Sequence, residues 1–403
     1  MTAYDDSRVT EFGGPLQVLV GDGSVRRVGE LMARWAQART VLLVVDAQLL
    51  QLELVSPVIE SLESAGFPVE VFGEVSREPD VSTAERVAEL ARARQITGVV
   101  GFGGGSSLDL AKIAAAAATN NLPVADFVGV SRLSEEPQPM VLIPTTAGTG
   151  SEATRVAMLS VDGKKRIMND HRLVPQGAIL DATLVVSLPP APTAATGLDA
   201  LSHAAEAFLS RDASPVTESM SREAVRLLSG GLRRAFRDGS DLQARRATLY
   251  GAHIAGRALS AGSVLGHSIA YTIANRAHLA HGVTCAMALP FCLAYGLSDG
   301  EVARRLDSLA GEVEEKAVRS GVDLLRWLEQ LNRELEVPES LKAVGIEEGE
   351  VEPMAQECLT LYPRPNNPVP LESNSLTEMY LHLWRGDMGG YLELAQAKRE
   401  PAS

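Results

Sequence analysis

The sequence predicts an α/β domain with a mostly parallel sheet, followed by an all-helical domain. Three observations carry that prediction. Over the first ~185 residues, short apolar β-branched runs alternate with longer amphipathic stretches, the pattern of strands covered on both faces by helices. A proline cluster, Pro189-Pro190-Ala191-Pro192, then interrupts any regular element. Beyond it strand-like runs nearly vanish, and Ala/Leu/Glu/Arg-rich helical periodicity takes over.

Residues 41–45 (VLLVV), 69–72, 98–101 and 141–143 read as buried strands. Residues 25–36, 56–65, 83–94 and 108–118 read as the helices between them. The domain boundary is drawn at the prolines, giving 1–187 and 188–403. The segment Tyr362-Pro363-Arg364-Pro365-Asn366-Asn367-Pro368 reads as an extended, turn-rich loop, with one more helix over 375–385.

Composition limits the function. At 403 residues, 45% apolar and 22% charged, the chain is long enough and apolar enough to bury a substantial core. A net charge of −14 argues against general binding to nucleic acid or anionic membranes. Residues 1–10 are polar, without the apolar run of a secretory signal, and no stretch is apolar enough to span a bilayer. Cys285, Cys292 and Cys358 form no CxxC pair, so neither a disulfide scaffold nor a thiolate metal site is signalled. A cytoplasmic location is the expectation.

Two loops suit a nucleotide. Gly103-Gly104-Gly105-Ser106-Ser107-Leu108-Asp109 follows a strand and opens a helix. Glycines there allow close backbone approach, and helix N–H groups favour a pyrophosphate. A tight turn with a serine cap would look the same. After the next strand comes Pro144-Thr145-Thr146-Ala147-Gly148-Thr149-Gly150-Ser151-Glu152, whose hydroxyls suit ribose, phosphate or nicotinamide amide. Two such loops after successive strands point to a dinucleotide. Asp46, ending the strand 41–45, would hold ribose hydroxyls and repel a 2′-phosphate, favouring NAD over NADP, or would only cap.

A metal set is also visible. Asp199 and His203, at i and i+4, share a helix face. His267 follows Gly266 and His281 precedes Gly282, with room between them for a helix and a return. His278 could replace His281 as a ligand. His171, His253 and His382 have no partner at metal spacing and read as structural or surface residues. A carboxylate with imidazoles suits Fe²⁺ or Zn²⁺ rather than Mg²⁺ or Ca²⁺.

Together VVDAQLL, GFGGGSSLDLAK, PTTAGTGSEAT, GLDALSHAAEAF and GHSIAYTIANRAHLAHGVTCAMALP resemble, in order, the iron-containing (group III) alcohol dehydrogenase family, over roughly residues 12–390. The resemblance implies an N-terminal dinucleotide-binding α/β domain, an all-helical domain and an active site in the cleft between them. It implies Asp199, His203, His267 and His281 as ligands of Fe²⁺, Zn²⁺ or another divalent metal. The pyrophosphate would lie over Gly103, Gly104, Gly105 and Ser106, with Asp109 near the nicotinamide end. Thr145, Thr146, Thr149 and Ser151 would line the groove, Lys165 would contact the cofactor, and Asp46 would discriminate against NADP. A homodimer or larger homo-oligomer is implied as well.

The reaction implied is hydride transfer between NAD(P) and an alcohol or aldehyde, the metal polarising the substrate oxygen. One position departs from the family: Tyr271 stands where many members carry a histidine that shapes the substrate site or relays a proton. Tyr271 is the candidate for proton transfer, or a wall of the pocket. Competing readings are a dehydroquinate synthase-like lyase or polyol-phosphate dehydrogenase of the same superfamily, and a non-catalytic nucleotide-binding protein. The lyases need extra basic residues for a phosphate- and carboxylate-bearing substrate, and the segment from His267 to His281 offers only Arg276.

Overall fold

The computed structural model describes residues 9–37, 39–52, 54–75 and 79–398. Contacts divide these into two compact units, one of Gly13–Leu188 and one running from Pro189 together with the residues up to Phe12.

In the first unit the strands are β1 (Gln17–Val20), β2 (Val41–Asp46), β3 (Val69–Val75), β4 (Gly98–Gly103), β5 (Gly129–Val130), β6 (Met140–Pro144), β7 (Val156–Val161), β8 (Lys164–Asn169) and β9 (Gly177–Leu180). Its helices are α1 (Val28–Met32), α2 (Ala47–Gln51), α3 (Ser56–Ser64), α4 (Val81–Ala93) and α5 (Gly105–Ala117). Six strands form one sheet in the order β1-β9-β6-β4-β2-β3, every pairing parallel.

The central strands show why the apolar runs fold this way. In β2, Leu42 and Val44 join one core cluster with α4 and α5, while Val41, Leu43 and Val45 join another with α1 and α3. Period-2 alternation thus buries both faces of a continuous apolar run. From β2 the chain steps out to β3 on one side and returns to β4 on the other. The strand order reverses there, and ligands of such sheets bind outside the carboxyl ends at that reversal. The loops after β2, β4 and β6 therefore emerge at the sheet's binding edge.

Several elements differ from the sequence reading. The helix expected over 25–36 is a 3₁₀ turn, Ser24–Arg27, running into the short α1. β1, β5, β9 and the β7–β8 hairpin were not expected. β8 reads KKRIMN and lies largely exposed, so it carries no apolar run. Its hairpin turn nevertheless has a local signature, Asp162-Gly163, both with positive φ (51° and 71°), the conformation that Asp-Gly favours in tight hairpins.

The second unit is helical among the described residues: α6 (Pro190–Leu209), α7 (Pro215–Arg237), α8 (Leu242–Ala258), α9 (Leu265–Ala274), α10 (His281–Tyr295), α11 (Gly300–Ala310), α12 (Gly321–Glu334), α13 (Val351–Thr360), α14 (Ser373–Arg385) and α15 (Met388–Ala397). α6 is its hub, nearly all buried, packed against α7, α8 and α10. α10 runs through Pro290, which has no N–H for the Ala286 carbonyl one turn back. The Asn332 side chain of α12 donates to that carbonyl instead, at 2.7 Å. No helix among the described residues is long and apolar enough to cross a membrane.

Candidate active site

The nucleotide loops are built on β4 and β6. β4 ends at Gly103, and Gly104 opens α5 without any side-chain cap, so no capping side chain stands between the helix start and a phosphate. Gly104, Gly105 and Ser106 are half-buried, and a Cβ on Gly105 would stand 2.8 Å from Thr149 Cγ2. The two loops therefore touch: Thr145 N donates to Gly103 O at 2.9 Å, and Thr146 faces Gly104.

Asp109, on α5, is buried with both oxygens engaged. Ser151 Oγ donates to Oδ1 at 2.7 Å and Met158 N to Oδ2 at 3.0 Å. Burial pushes its carboxyl pKa up, only partly offset by Lys112 and these hydrogen bonds. One turn on, the buried Lys112 ammonium donates to the carbonyls of Thr154 and Val156 at 2.8 and 2.7 Å. Desolvation lowers its pKa to about 8. These two side chains clamp the glycine-loop helix to the second loop. Lys165 lies exposed on β8, its charge felt at Asp109. Asp46 caps α2, accepting from Gln48 N at 2.7 Å.

In the helical unit, α6 carries Asp199, His203 and Glu206 at i, i+4 and i+7, all buried on one face. His267 enters from α9 and His281 is the first residue of α10. Both arrive through close backbone approaches. A Cβ on Gly266 would stand 2.6 Å from Glu206 Oε1, and one on Gly282 only 1.8 Å from Ala195 O of α6. Glycine at these two positions lets α9 and α10 lie close enough to deliver their imidazoles to Asp199.

Donor atoms of Asp199, His267 and His281 converge within 4.8 Å of one another, while His203 stands beside them outside that group. Asp199 Oδ1 lies 3.7 Å from His203 Nε2 and 3.8 Å from His281 Nε2. The His203 and His267 rings stack with centroids 4.8 Å apart. Asp199 Oδ1 is buried and has no hydrogen-bond partner. Burial alone would raise this carboxyl, but the charges of His203, His281 and His267 outweigh it and hold the pKa below its ordinary value. An orphaned carboxylate oxygen facing imidazoles at these separations fits a divalent metal of the iron or zinc kind. His278 is exposed and outside the cluster.

Two residues that the sequence reading did not assign belong here. Glu206 accepts from His267 Nδ1 at 2.7 Å, from Val264 N at 2.9 Å and from His267 N at 3.2 Å. This fixes the ring so that Nε2 faces the other donors. Glu206 lies inside the GLDALSHAAEAF stretch, and its spacing to Asp199 and His203 was the available signal. The second is Cys285, one turn after His281. Its sulfur, with donor atoms of Asp199, His267 and His281, forms a group all within 4.8 Å of one another. The absence of a CxxC pair thus did not exclude sulfur from the cluster.

Tyr271 stacks on His281 with centroids 5.6 Å apart and rings 10° from parallel, and Tyr362 lies beside it at 5.2 Å. Burial raises the Tyr271 phenol pKa above its ordinary value. Arg364 donates to Ser268 Oγ at 3.0 Å, its guanidinium 5.9 Å from the Tyr271 ring centre. Arg276 is neutralised by Glu350 and Glu357 at 2.7 and 2.9 Å, which removes it as a partner for a substrate phosphate.

Comparison with known proteins agrees with this architecture. A family model described as iron-containing alcohol dehydrogenase matches residues 15–182, and the C-terminal model of the Fe-containing alcohol dehydrogenase family matches 193–384. Long-chain-alcohol dehydrogenase 1 of Geobacillus thermodenitrificans is 36% identical over 86% of this chain and 87% of its own. The NAD-dependent methanol dehydrogenase of Bacillus methanolicus is 31% identical over 87% of this chain and 93% of its own. A crystal structure of 1,3-propanediol oxidoreductase superposes with a TM-score of 0.87 at 29% identity, covering 93% of this chain and all of that one.

Proposed function

The chain belongs to the iron-containing alcohol dehydrogenase family, and from that premise we propose that Asp199, His203, His267 and His281 hold the metal of an NAD-linked alcohol dehydrogenase. The enzyme moves a hydride between NAD and an alcohol or aldehyde. The observation that carries the ligand set is the buried, partnerless Asp199 Oδ1 among imidazoles. When bound, the metal supplies Lewis-acid polarisation of the substrate oxygen and the nicotinamide accepts or donates the hydride.

The protein's own groups supply position and exclusion. Glu206 holds His267 in one tautomer and orientation. Gly103, Gly104, Gly105 and Ser106 receive the pyrophosphate at the α5 amides, and Thr145, Thr146, Thr149 and Ser151 line the remainder. Asp109 acts by fixing Ser151 and β7 to α5, and Lys165 adds a positive charge nearby. Asp46 places a negative charge at the carboxyl end of β2, which repels a 2′-phosphate and favours NAD. Tyr271 and Tyr362 form an aromatic wall beside His281. With its pKa raised by burial, Tyr271 serves as that wall rather than as a base near neutral pH.

We also propose that residues 1–187 and 188–403 are the nucleotide and metal domains; the compact units that divide at Leu188 and Pro189 support the boundary, while the residues up to Phe12 group with the second unit. A homodimer or larger homo-oligomer is supported by the exposed Val20 on edge strand β1 and the exposed Leu16 just before it. A cytoplasmic location is supported by three buried cysteines, none in a disulfide.

The relatives named act on substrates from methanol to long-chain alcohols, so a panel of primary alcohols of graded length, followed by NADH formation, reads the preference. Chelation of the metal abolishes turnover and Fe²⁺ or Zn²⁺ restores it. His267→Ala and His281→Ala abolish turnover while NAD binding persists. Wild-type turnover in either variant after metal removal overturns the ligand assignment.

A further inference from the structure

We propose that the Cys285 thiolate is a ligand of this metal, making the site a mixed nitrogen, oxygen and sulfur set rather than one of carboxylate and imidazoles alone. The inference rests on the metal reading above and extends it. Cys285 follows His281 by four residues on α10, so both side chains project from one face, one turn apart. Its sulfur stands 3.6 Å from His281 Nε2 and 3.9 Å from His267 Nε2. Metal bonds of ~2.0–2.1 Å to nitrogen and ~2.3 Å to sulfur put two donors of one ion about 3.1 Å apart at a right angle and about 3.6 Å at a tetrahedral one. The His281 separation falls at the upper end of this range, and the His267 separation lies beyond it.

Asp199 belongs to the same group of donors within 4.8 Å, and its buried Oδ1 has no hydrogen-bond partner. The other cysteines provide contrast: Cys358 Sγ lies 3.0 Å from the Tyr380 hydroxyl, and neither it nor Cys292 belongs to the cluster. Coordination forms a metal–sulfur bond and releases the thiol proton to solvent. A thiolate also shifts the site towards softer ions, favouring Zn²⁺ and Co²⁺ over Fe²⁺ beyond their ordinary order.

The test uses the full-length protein loaded with Co²⁺ or Zn²⁺, with bound metal quantified by mass spectrometry. Expected are a near-ultraviolet sulfur-to-cobalt charge-transfer band in wild type and Cys358→Ser, and its loss in Cys285→Ser. Cys285→Ala lowers the ratio of Zn²⁺ to Fe²⁺ affinity at least about tenfold, a change of roughly 1.4 kcal/mol. X-ray absorption of zinc-loaded wild type needs no variant and shows a sulfur neighbour at ~2.3 Å. Stoichiometric metal with only nitrogen and oxygen neighbours overturns the sulfur ligand and leaves the other four standing. Failure of wild type to bind any divalent metal overturns both readings.

Discussion

Replacing Glu206 by glutamine tests whether the metal site depends on a residue that does not touch the metal. The carboxylate accepts from His267 Nδ1 at 2.7 Å, Val264 N at 2.9 Å and His267 N at 3.2 Å, and it is fully buried. Glutamine keeps the shape but presents an NH₂ group, so at least one of these donors then faces another donor. Removing such an outer partner typically weakens metal binding by ~10–100-fold, or about 1.4–2.7 kcal/mol. Alanine also strands two buried backbone N–H groups, at ~1–3 kcal/mol each, so it costs stability in the metal-free protein as well. Chelator competition on refolded apoprotein measures the first effect, and thermal unfolding of metal-free protein measures the second. The expected pattern is glutamine weakening the metal with a smaller fall in melting temperature than alanine, which strands more donors. Wild-type affinity in Glu206→Gln refutes the orienting role assigned to this carboxylate.

Further predictions follow from other contacts. Tyr271→Phe changes kcat by less than about tenfold if the ring is a wall, against the ~10²–10⁴-fold loss expected of a proton carrier; steady-state kinetics across pH separate the two. Asn332→Leu strands the Ala286 carbonyl opposite Pro290 and costs about 1–3 kcal/mol in denaturant unfolding. Lys112, lowered to about 8 by burial, binds fewer protons folded than unfolded up to the ordinary lysine range of ~10.4. Its cost to stability is thus full below pH ~8 and relieved as pH rises towards ~10.4. The stability of wild type relative to Lys112→Met should rise across that window, and a flat or falling difference contradicts it.

What the sequence revealed of the fold depended on burial. β2, β4 and β6 are apolar on both faces because helices cover both faces, so their runs stand out without any alignment of pattern to partner. β1 lies at an edge and is mostly half-buried, and β8 in the small sheet is largely exposed, so their side chains answer to solvent as much as to a core. For these the local turn chemistry was the better guide, and Asp162-Gly163 was there to be used. Likewise the helix expected over 25–36 rested on apolar spacing alone, and spacing does not determine where the backbone hydrogen bonds stop.

The site divides along a similar physical line. Residues that share a helix turn, such as Asp199 and His203, announce themselves by spacing. Convergence from separate helices does not, yet the glycines beside His267 and His281 carried information beyond flexibility. Gly266 and Gly282 sit where a side chain would collide with Glu206 and with the backbone of α6. A glycine next to a histidine on a helix otherwise costs about 1 kcal/mol in propensity, so its presence there signals a close approach that brings the imidazole somewhere particular. Cys285 offered no such neighbour. Its partner in sequence is His281 one turn back, and a histidine–cysteine pair at that spacing gains meaning only once α9 and α6 bring two more donors to the same point. The proposed metal site is therefore a property of three helices packed at glycine contacts, which is why variants at Gly266 or Gly282 should disturb metal binding as severely as loss of a ligand.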